Sequence, residues 1–257
     1  MKKIVIAIVS HGHFDFISKN HSLVEIARNP FVAVIIKDNL REEKLKSYSE
    51  ESNFTYIVSS DVMGFGQNNN YIFEYAKRQL STGDDDWFII LNPDVTISST
   101  EFLKLVAELN SGLGDFFTPN LFKNNNLSEM ENSVRYFTTY SDLLNPFLKF
   151  SAINRPYDKN KLSNESKVEW ASGAFLCIKF AKFESVKGFD DKYFMYYEDV
   201  DLCYRLKQKG TFLLFLKNVS AVHVGSYKNR SIMSKHFRWY LASLFKFLQT
   251  RRRGTQV

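Results

Sequence analysis

Three carboxylates stand within four positions of this sequence. Glu198, Asp199 and Asp201 follow a run of aromatic residues and precede a predicted helix, in the segment YFMYYEDVDLCYRLKQKG. Acids this close repel one another and lose hydration beside apolar neighbours, so the cluster indicates a site that uses a proton, a metal ion or a cation. The alternative is an acidic helix N-terminus, stabilised by the backbone dipole and by Arg205 as the i,i+4 partner of Asp201.

A second candidate for chemistry follows the apolar segment WFIIL. Asn92, Pro93 and Asp94 come directly after it, where a carboxylate could hold a hard divalent cation that in turn binds a diphosphate. Asn-Pro-Asp is also typical of a turn. His223 ends another predicted strand, and a single histidine is more often a structural hydrogen-bonding residue than a metal ligand.

Two further segments could contact a nucleotide. Asp38 and Asn39 follow an apolar strand, where a carboxylate could accept the N3–H of uracil or thymine, or a ribose hydroxyl; an Asx turn is the alternative. The segment GFGQNNN, which begins at Gly64, would let the backbone approach a ligand and then cap a helix. Neither GxGxxG nor a P-loop occurs, which argues against a dinucleotide-dependent dehydrogenase.

Strand and helix patterns alternate through the first half of the chain. This alternation predicts a mostly parallel central sheet flanked by helices, whose ligands bind beyond the carboxyl ends of the strands. Those ends carry Ser10-His11, Asp38-Asn39 and Asn92-Pro93-Asp94. The predicted strands are Lys3–Val9, Phe31–Ile36, Phe54–Val58 and Trp87–Leu91, and the predicted helices are Phe14–Arg28, Arg41–Tyr48, Gln67–Leu80 and Thr100–Asn110.

The second half is less regular. Residues 120–165 predict loops and short strands, followed by order at Val168–Lys179, a helix at Asp199–Lys209 and two short strands, Thr211–Leu216 and Ser220–His223. We predict one main domain over residues 1–230 and a basic amphipathic helix and tail over residues 231–257. The predicted apolar face of that helix carries Met233, Phe237, Tyr240, Leu241, Leu244, Phe245 and Leu248. It could lie on an anionic membrane or pack on the domain.

Composition narrows the class of protein. The chain has 257 residues, of which 44% are hydrophobic and 16% aromatic, enough for one large domain. Cys177 and Cys203 have neither metal-type nor redox-type spacing, so we expect a reducing cytoplasmic compartment. The apolar run in Met1–Val9 predicts a first strand, because it is shorter than the core of a signal peptide. No apolar stretch of the sequence approaches the ~18 residues of a membrane span.

Basic residues are concentrated at one end of the chain. The net charge is +6, yet Leu202–Val257 alone contains twelve Lys or Arg and no Asp or Glu. Such an end favours an anionic partner, which could be a nucleic acid, an anionic lipid or a phosphorylated substrate. A solvated face without a specific partner is the alternative.

The order of these segments is more specific than any one of them. The series is the first strand with Ser10-His11, Asp38-Asn39, GFGQNNN, LNPD, SGAFLCIK, GFDDKYFMYYEDVDLCYR and HVGS. It resembles family 2 glycosyltransferases of the GT-A fold, and most of all bacterial rhamnosyltransferases that build polysaccharide or O-antigen chains. The resemblance covers about residues 3 to 240. It implies an α/β GT-A fold with a C-terminal amphipathic helix.

The resemblance also implies donor-binding and metal-binding roles. Asp38 would recognise the nucleobase, and Asp94 and His223 would bind Mg²⁺ or Mn²⁺ with the donor diphosphate. The other implied donor contacts are Ser10, His11, Asn39, Gly64, Asn69 and Asn92. Three segments depart from the family pattern. Asn92 replaces the first acid of D-x-D, which leaves the metal site one carboxylate fewer; Val62 replaces an Asn, and Ser10-His11 replaces Thr-Tyr.

On the catalytic side, the resemblance makes Asp199 the general base. Glu198 and Asp201 would shape its field and contact acceptor or donor. The implied acceptor residues are Trp170, Gly173, Tyr197 and Glu198.

Together these inferences predict an inverting sugar transfer. The expected donor is dTDP-L-rhamnose, and the expected acceptor is a saccharide on a polyprenyl diphosphate at the inner face of the cytoplasmic membrane, without a nucleic-acid partner. The alternatives are another nucleotide-sugar transferase, a nucleotidyltransferase, or a non-catalytic nucleic-acid-binding protein that uses the basic end and the aromatic residues.

Overall fold

Strands from both halves of the chain form one large sheet in the computed structural model, which describes residues 2–140, 142, 154–225 and 235–254. The strands are β1 (Ile4–Ser10), β2 (Val32–Asp38), β3 (Thr55–Val58), β4 (Trp87–Leu91), β5 (Val95–Thr96), β6 (Phe116–Phe122), β7 (Val134–Arg135), β8 (Ser166–Val168), β9 (Trp170–Ala171), β10 (Phe175–Lys179) and β11 (Leu213–His223). The helices are α1 (Phe14–Ser18), α2 (His21–Ala27), α3 (Glu43–Glu51), α4 (Phe65–Gln79), α5 (Ser99–Asn110), α6 (Phe180–Ser185), α7 (Glu198–Gln208) and α8 (Lys235–Gly254).

The sheet is parallel in its first half and mixed in its second. Its order is β3-β2-β1-β4-β10-β6-β11-β5, with β8 beside β11 and a separate β7-β9 pair. The pairs β1-β2, β1-β4 and β2-β3 are parallel, as the alternating pattern predicts. β10 enters antiparallel between β4 and β6, which in turn runs parallel to β11. The fold class is therefore confirmed as α/β, with antiparallel strands where the sequence loses its regular alternation.

Two element boundaries differ from the sequence-based expectation. The segment Phe14–Arg28 forms two helices, because Asn20 caps the second one by accepting a hydrogen bond from Leu23 N and also donates to Val95 O at 3.2 Å. The two short strands expected over residues 211–223 form one strand, β11, with a register shift between Leu216 and Ser220.

Apolar side chains cover both faces of the sheet, which is why β4 is apolar at every position rather than alternating. One face packs against α4, α6, α7 and α8, and the other against α1, α2 and α5. On the first face Phe73 lies 4.8 Å from Phe180 and 4.7 Å from Phe183, between ring centroids. This double-sided core fixes the strand ends at which the polar residues lie.

The C-terminal helix packs on the domain. Leu244, Phe247 and Leu248 are buried in the same core as the first face of the sheet, and Ser243 Oγ donates to Met195 O at 3.1 Å. Phe245, expected on the apolar face, is 54% exposed instead. Of the other residues expected on that face, Met233 and the Phe237 side chain lie outside the described residues. The boundary at residue 231 does too, so the division into two domains stays a prediction. Among the described helices, none is long and apolar enough to cross a membrane.

If α8 is part of the folded core, truncation of its buried Phe247 and of its exposed Phe245 should change the free energy of unfolding by different amounts. Phe247→Ala should lower the free energy of unfolding by about 3–5 kcal/mol, because it leaves a cavity in the core. Phe245→Ala, on the exposed side of the same helix, should change it by less than about 0.5 kcal/mol. Urea unfolding followed by circular dichroism measures both, and equal small effects would contradict the packing of α8.

Candidate functional site

The carboxyl ends of the central strands bring the first set of predicted residues together. The register of β1 and β2 pairs Ser10 with Asp38, and Asn39 N donates to Ser10 O at 3.0 Å. Further along the same sheet, β5 pairs with β11 so that His223 lies opposite Val95. Asp94, the residue before Val95, is thereby placed beside His223.

Asp94 and His223 form the centre of what we term the metal half of the site. His223 Nε2 lies 3.3 Å from Asp94 Oδ1, and its other ring nitrogen, Nδ1, lies 2.9 Å from Glu131 Oε2. Burial lowers the pKa of His223, but the hydrogen bonds to the two carboxylates outweigh it and raise this pKa to about 10. Glu131 could not be predicted, because it lies in the irregular segment between β6 and β7 and matches no motif.

His13 is a second residue that sequence reasoning missed. It interacts electrostatically with Asp94, which raises its pKa, although burial has the larger effect and lowers it overall. Its Nδ1 accepts a hydrogen bond from His11 N at 2.9 Å. The predicted donor residue His11 is exposed, whereas His13 is partly buried.

Asp38 is fully buried, and its carboxylate shapes the turn after β2. Oδ1 accepts from Leu40 N at 3.0 Å, and Oδ2 accepts from Glu42 N at 2.7 Å and from Tyr56 Oη at 3.0 Å. Burial and this hydrogen bond raise the pKa of Tyr56, so the phenol keeps its proton for Asp38. The Asx-turn alternative is therefore realised, and contact between Asp38 and a nucleobase stays a prediction.

Gly64 and Asn69 act inside the protein. Gly64 N donates to Gln67 Oε1 at 3.0 Å in the cap of α4, and a Cβ on Gly64 would stand only 2.0 Å from Phe194 O. Glycine is thus required for the close approach of two backbones. Asn69 is buried, and its Nδ2 donates to Phe65 O at 3.0 Å. Neither residue presents a polar side chain at the surface, where a nucleotide-sugar donor would bind.

The acidic cluster separates into two parts. Asp199 belongs to what we term the base half: its Oδ2 accepts from Gly173 N at 2.9 Å and its Oδ1 from Val200 N at 2.8 Å. Burial raises the pKa of Asp199, while the two N–H donors lower it. Glu198 is buried beside it, and burial and then the charge of Asp199 raise its pKa to about 8. The pair therefore resists full ionisation, because two adjacent buried charges would repel each other.

Asp201 lies apart from this pair. It is fully buried; Oδ2 accepts from Arg205 Nε at 2.5 Å and Oδ1 from Tyr193 Oη at 3.2 Å. This is the i,i+4 helix pair that formed the structural alternative for the cluster. We therefore leave Asp201 out of the candidate site, because its oxygens are held inside the protein.

The residues expected at the acceptor also separate. Gly173 contacts Asp199 directly, whereas Trp170 and Tyr197 are buried in the core. Trp170 Nε1 donates to Tyr136 O at 2.9 Å, and Tyr197 Oη lies 3.3 Å from Thr138 Oγ1. These two rings belong to the core next to the base half and do not face solvent.

A short segment joins the two halves. Ala174 O accepts from Asn92 N at 2.9 Å, in the turn that carries Asp94, and the preceding residue Gly173 binds Asp199. The described residues contain no group of three or more His, Cys, Asp or Glu side chains arranged to hold a metal ion. Any cation here would therefore rely on few protein ligands.

Comparisons with known proteins show the family of the chain. No protein-family model matches the chain. It is 35% identical over 250 residues to the rhamnosyltransferase WbbL of Escherichia coli, which covers 97% of this chain and 94% of the relative. It is 28% identical over 177 residues to an N-acetylglucosaminyl-diphospho-decaprenol L-rhamnosyltransferase of Mycobacterium tuberculosis, which covers 66% of this chain and 57% of the relative.

Solved structures share the fold. GalNAc-T7 with UDP, GalNAc and Mn²⁺ superposes with a TM-score of 0.69 at 16% identity, over 97% of this chain and 48% of that one. The mannosyltransferase PcManGT of Pyrobaculum calidifontis with GDP-Man and Mn²⁺ gives 0.58 at 13% identity, over 88% and 58%. The near-complete match to WbbL and the shared fold decide the family: the chain belongs to the GT-A glycosyltransferases of family 2, in the group of the bacterial rhamnosyltransferases.

Proposed function

We propose that this glycosyltransferase inverts the anomeric centre of L-rhamnose as it moves the sugar from dTDP-L-rhamnose to a lipid-linked saccharide, in the synthesis of a cell-surface polysaccharide. The single observation that carries the proposal is a carboxylate, Asp199, held by Gly173 N at the strand-end edge that also carries Asp94 and His223. The names of the two rhamnosyltransferase relatives support the choice of sugar, and the mycobacterial name supports a lipid diphosphate acceptor.

Asp199 acts as the general base in this proposal. Its two backbone hydrogen bonds fix the orientation of the carboxylate, and burial raises its pKa, which makes it a better proton acceptor than an exposed aspartate. The acceptor hydroxyl gives its proton to Asp199 while the oxygen attacks the anomeric carbon. Burial and the charge of Asp199 raise the pKa of Glu198 to about 8, which favours its neutral form and limits the charge beside the base.

The metal half fits a divalent cation. His223 Nδ1 contacts Glu131, and a metal-binding histidine commonly donates its second ring N–H to a carboxylate, so Nε2 would bind the ion after losing the proton that it shares with Asp94. Asp94 Oδ1, 3.3 Å from Nε2, would be the second ligand. Mg²⁺ or Mn²⁺ is usually held by one or two protein groups together with substrate phosphates. When bound, the cation would neutralise charge on the departing nucleoside diphosphate.

The proposal predicts the products of the reaction and the effect of one substitution. Wild-type protein with dTDP-L-rhamnose and a lipid-linked N-acetylglucosamine should release dTDP and form one new glycosidic bond of inverted configuration. Asp199→Asn should lower kcat by about 10²- to 10⁴-fold, because positioned base catalysis contributes that much, while dTDP binding persists. Mass spectrometry, NMR of the product and calorimetry of dTDP binding measure these quantities.

Asp191→Asn is the matched control, since Asp191 is an exposed aspartate of the same connection before α7. It should retain the wild-type rate. Full activity of Asp199→Asn would remove the residue from its role as base. Release of pyrophosphate instead of dTDP would identify a nucleotidyltransferase. Strong binding of RNA or DNA without affinity for any nucleotide sugar would favour the nucleic-acid-binding alternative.

Exposed aromatic rings next to Asp199 suit the acceptor sugar. Phe194 is 38% and Tyr196 37% exposed, a few residues before the base, whereas the neighbouring Tyr193 and Tyr197 are buried. Aromatic faces bind the apolar face of a pyranose ring in addition to excluding water. We therefore assign the acceptor contact to Phe194 and Tyr196 in place of Trp170 and Tyr197.

Removal of either exposed ring should weaken acceptor binding alone. Phe194→Leu and Tyr196→Leu should each raise the acceptor KM by about tenfold at most, the equivalent of one aromatic contact, without changing the donor KM or the slow hydrolysis of donor. Phe212→Leu is the control, because this exposed ring precedes β11 at the end opposite His223. An acceptor KM that stays constant in both variants would contradict the assignment.

The state of Glu198 can be tested through stability. Its pKa is near 4.5 in the unfolded chain and about 8 in the folded protein, so between these values folding takes up a proton and a rising pH favours unfolding. Glu198→Gln removes this loss of stability at rising pH, because glutamine does not ionise. Relative to wild type, the variant should become more stable from pH 5 to pH 8, by at most about 1.4 kcal/mol per pH unit. Urea unfolding at several pH values measures the difference, and Glu51→Gln, at an exposed position of α3, should show no such trend.

The membrane association is also part of the proposal. Among the α8 residues whose side chains the structure describes, Arg238, Phe245 and Lys246 are exposed, and they would face anionic lipid. Binding of a lipid-linked acceptor would itself hold the protein at the membrane. The basic surface of α8 therefore needs to supply only part of the free energy of membrane binding.

A further inference from the structure

A buried lysine lies between the two halves of the site. Lys159 is 6% exposed, and its Nζ donates to Asn120 Oδ1 at 3.1 Å, to Leu121 O at 3.2 Å and to Ser133 Oγ at 2.9 Å. All three acceptors are uncharged. Burial lowers the pKa of Lys159 to about 7, whereas the charge of Glu131 raises it. A buried ammonium without a directly bonded carboxylate is costly, so packing alone is a poor reason for its presence.

One of these contacts leads to the metal half. Leu121 O, which accepts from Lys159, also accepts from Glu131 N at 2.9 Å. Glu131 in turn holds the ring of His223 through Nδ1 at 2.9 Å. The Lys159 ammonium and the backbone N–H of Glu131 therefore share one acceptor, Leu121 O, and Glu131 is the residue that orients His223.

A second contact leads to the base half. Ser133 accepts from Lys159 with its side chain, and its backbone O accepts from Ser172 N at 2.9 Å. The next residue, Gly173, donates to Asp199. Ser133 N also donates to Glu131 O at 2.8 Å, so the same short segment, Glu131–Ser133, reaches both halves.

We propose that Lys159 is a positioning residue that fixes the segment Glu131–Ser133 against the end of β6, and thereby sets His223 and Asp199 relative to each other. The inference rests on the proposed function for the roles of these two residues. Its consequence is that one substitution remote from the reacting atoms impairs both halves together, because a displacement of about 1 Å in a catalytic arrangement can cost ~10²-fold in rate.

The test compares Lys159→Met, which replaces the ammonium by an unbranched apolar side chain, with Lys161→Met. Lys161 is the matched control, because it belongs to the same 3₁₀ turn, Lys159–Lys161, and its side chain is largely exposed. Three quantities are measured: kcat for transfer, the Mn²⁺ concentration that half-saturates dTDP binding, and the NMR signal of the His223 ring N–H. The last requires neither metal nor substrate.

Lys159→Met should lower kcat by ~10²-fold, raise the half-saturating Mn²⁺ concentration by about tenfold, and shift or broaden the His223 signal. Lys161→Met should leave all three as in wild type. Glu131→Gln should change the Mn²⁺ dependence and the His223 signal with a smaller effect on kcat. A folded Lys159→Met protein with wild-type values in all three measurements would overturn the inference, even if its melting temperature is lower.

A milder variant covers the case in which Lys159→Met does not fold. Ser133→Ala removes one of the three contacts and should move all three quantities in the same direction by smaller factors; unchanged values would count against Lys159. Failure of the proposed function is recognised separately. It would appear as wild-type protein that transfers no sugar, whereas the His223 signal would still report whether Lys159 holds the segment in place.

Discussion

The candidate site depends on the backbone of three consecutive residues, Ser172, Gly173 and Ala174. Ser172 N donates to Ser133 O, Gly173 N donates to Asp199 Oδ2, and Ala174 O accepts from Asn92 N. Each bond reaches a different part of the chain. Backbone groups cannot rotate away as side chains do, so this segment fixes the base, the turn that carries Asp94 and the segment that carries Glu131 at once. A Cβ on Gly173 would stand 2.9 Å from the Phe65 ring, so glycine lets this segment lie close to α4.

The approach to Asp199 stores backbone strain. Tyr196 and Tyr197 have φ angles of 69° and 66°, a left-handed conformation that costs about 1–3 kcal/mol for each residue that is not glycine. Two such residues in succession send one ring into the core and the other toward solvent, and the helix then begins at Glu198. Packing compensates for the strain, because Tyr197 lies against Phe247 with 5.6 Å between ring centroids. The folded core therefore holds the base in a turn that the local sequence disfavours.

Sequence reasoning predicted the elements that depend on local pattern. The strand Trp87–Leu91 has the expected bounds, and α7 begins one residue before the expected position, because apolar periodicity and acidic helix starts are local signals. Sequence reasoning could not predict the hydrogen-bond partners of His223. Glu131 lies 92 positions away from His223 along the chain, in a segment without periodicity. The resemblance implied acceptor contacts for Trp170 and Tyr197, and a sequence shows that a ring is present but not that it is buried, as both of these are. The contrast between Asp199 and Asp201 has the same origin: both acids follow the same aromatic run, and only the packing of α7 decides which of them reaches the edge of the sheet.

The charge of the metal half follows from Asn92. An acid at this position would add a carboxylate to the turn that carries Asp94, and this charge would oppose the approach of a diphosphate. With Asn92 the half carries two carboxylates and, while the pKa of His223 is raised to about 10, one imidazolium. On the proposed function, such a half attracts a divalent ion weakly by itself and more strongly when the donor brings its own phosphate oxygens. Binding of the ion and of the donor would then be coupled, because each supplies part of the charge that the other requires.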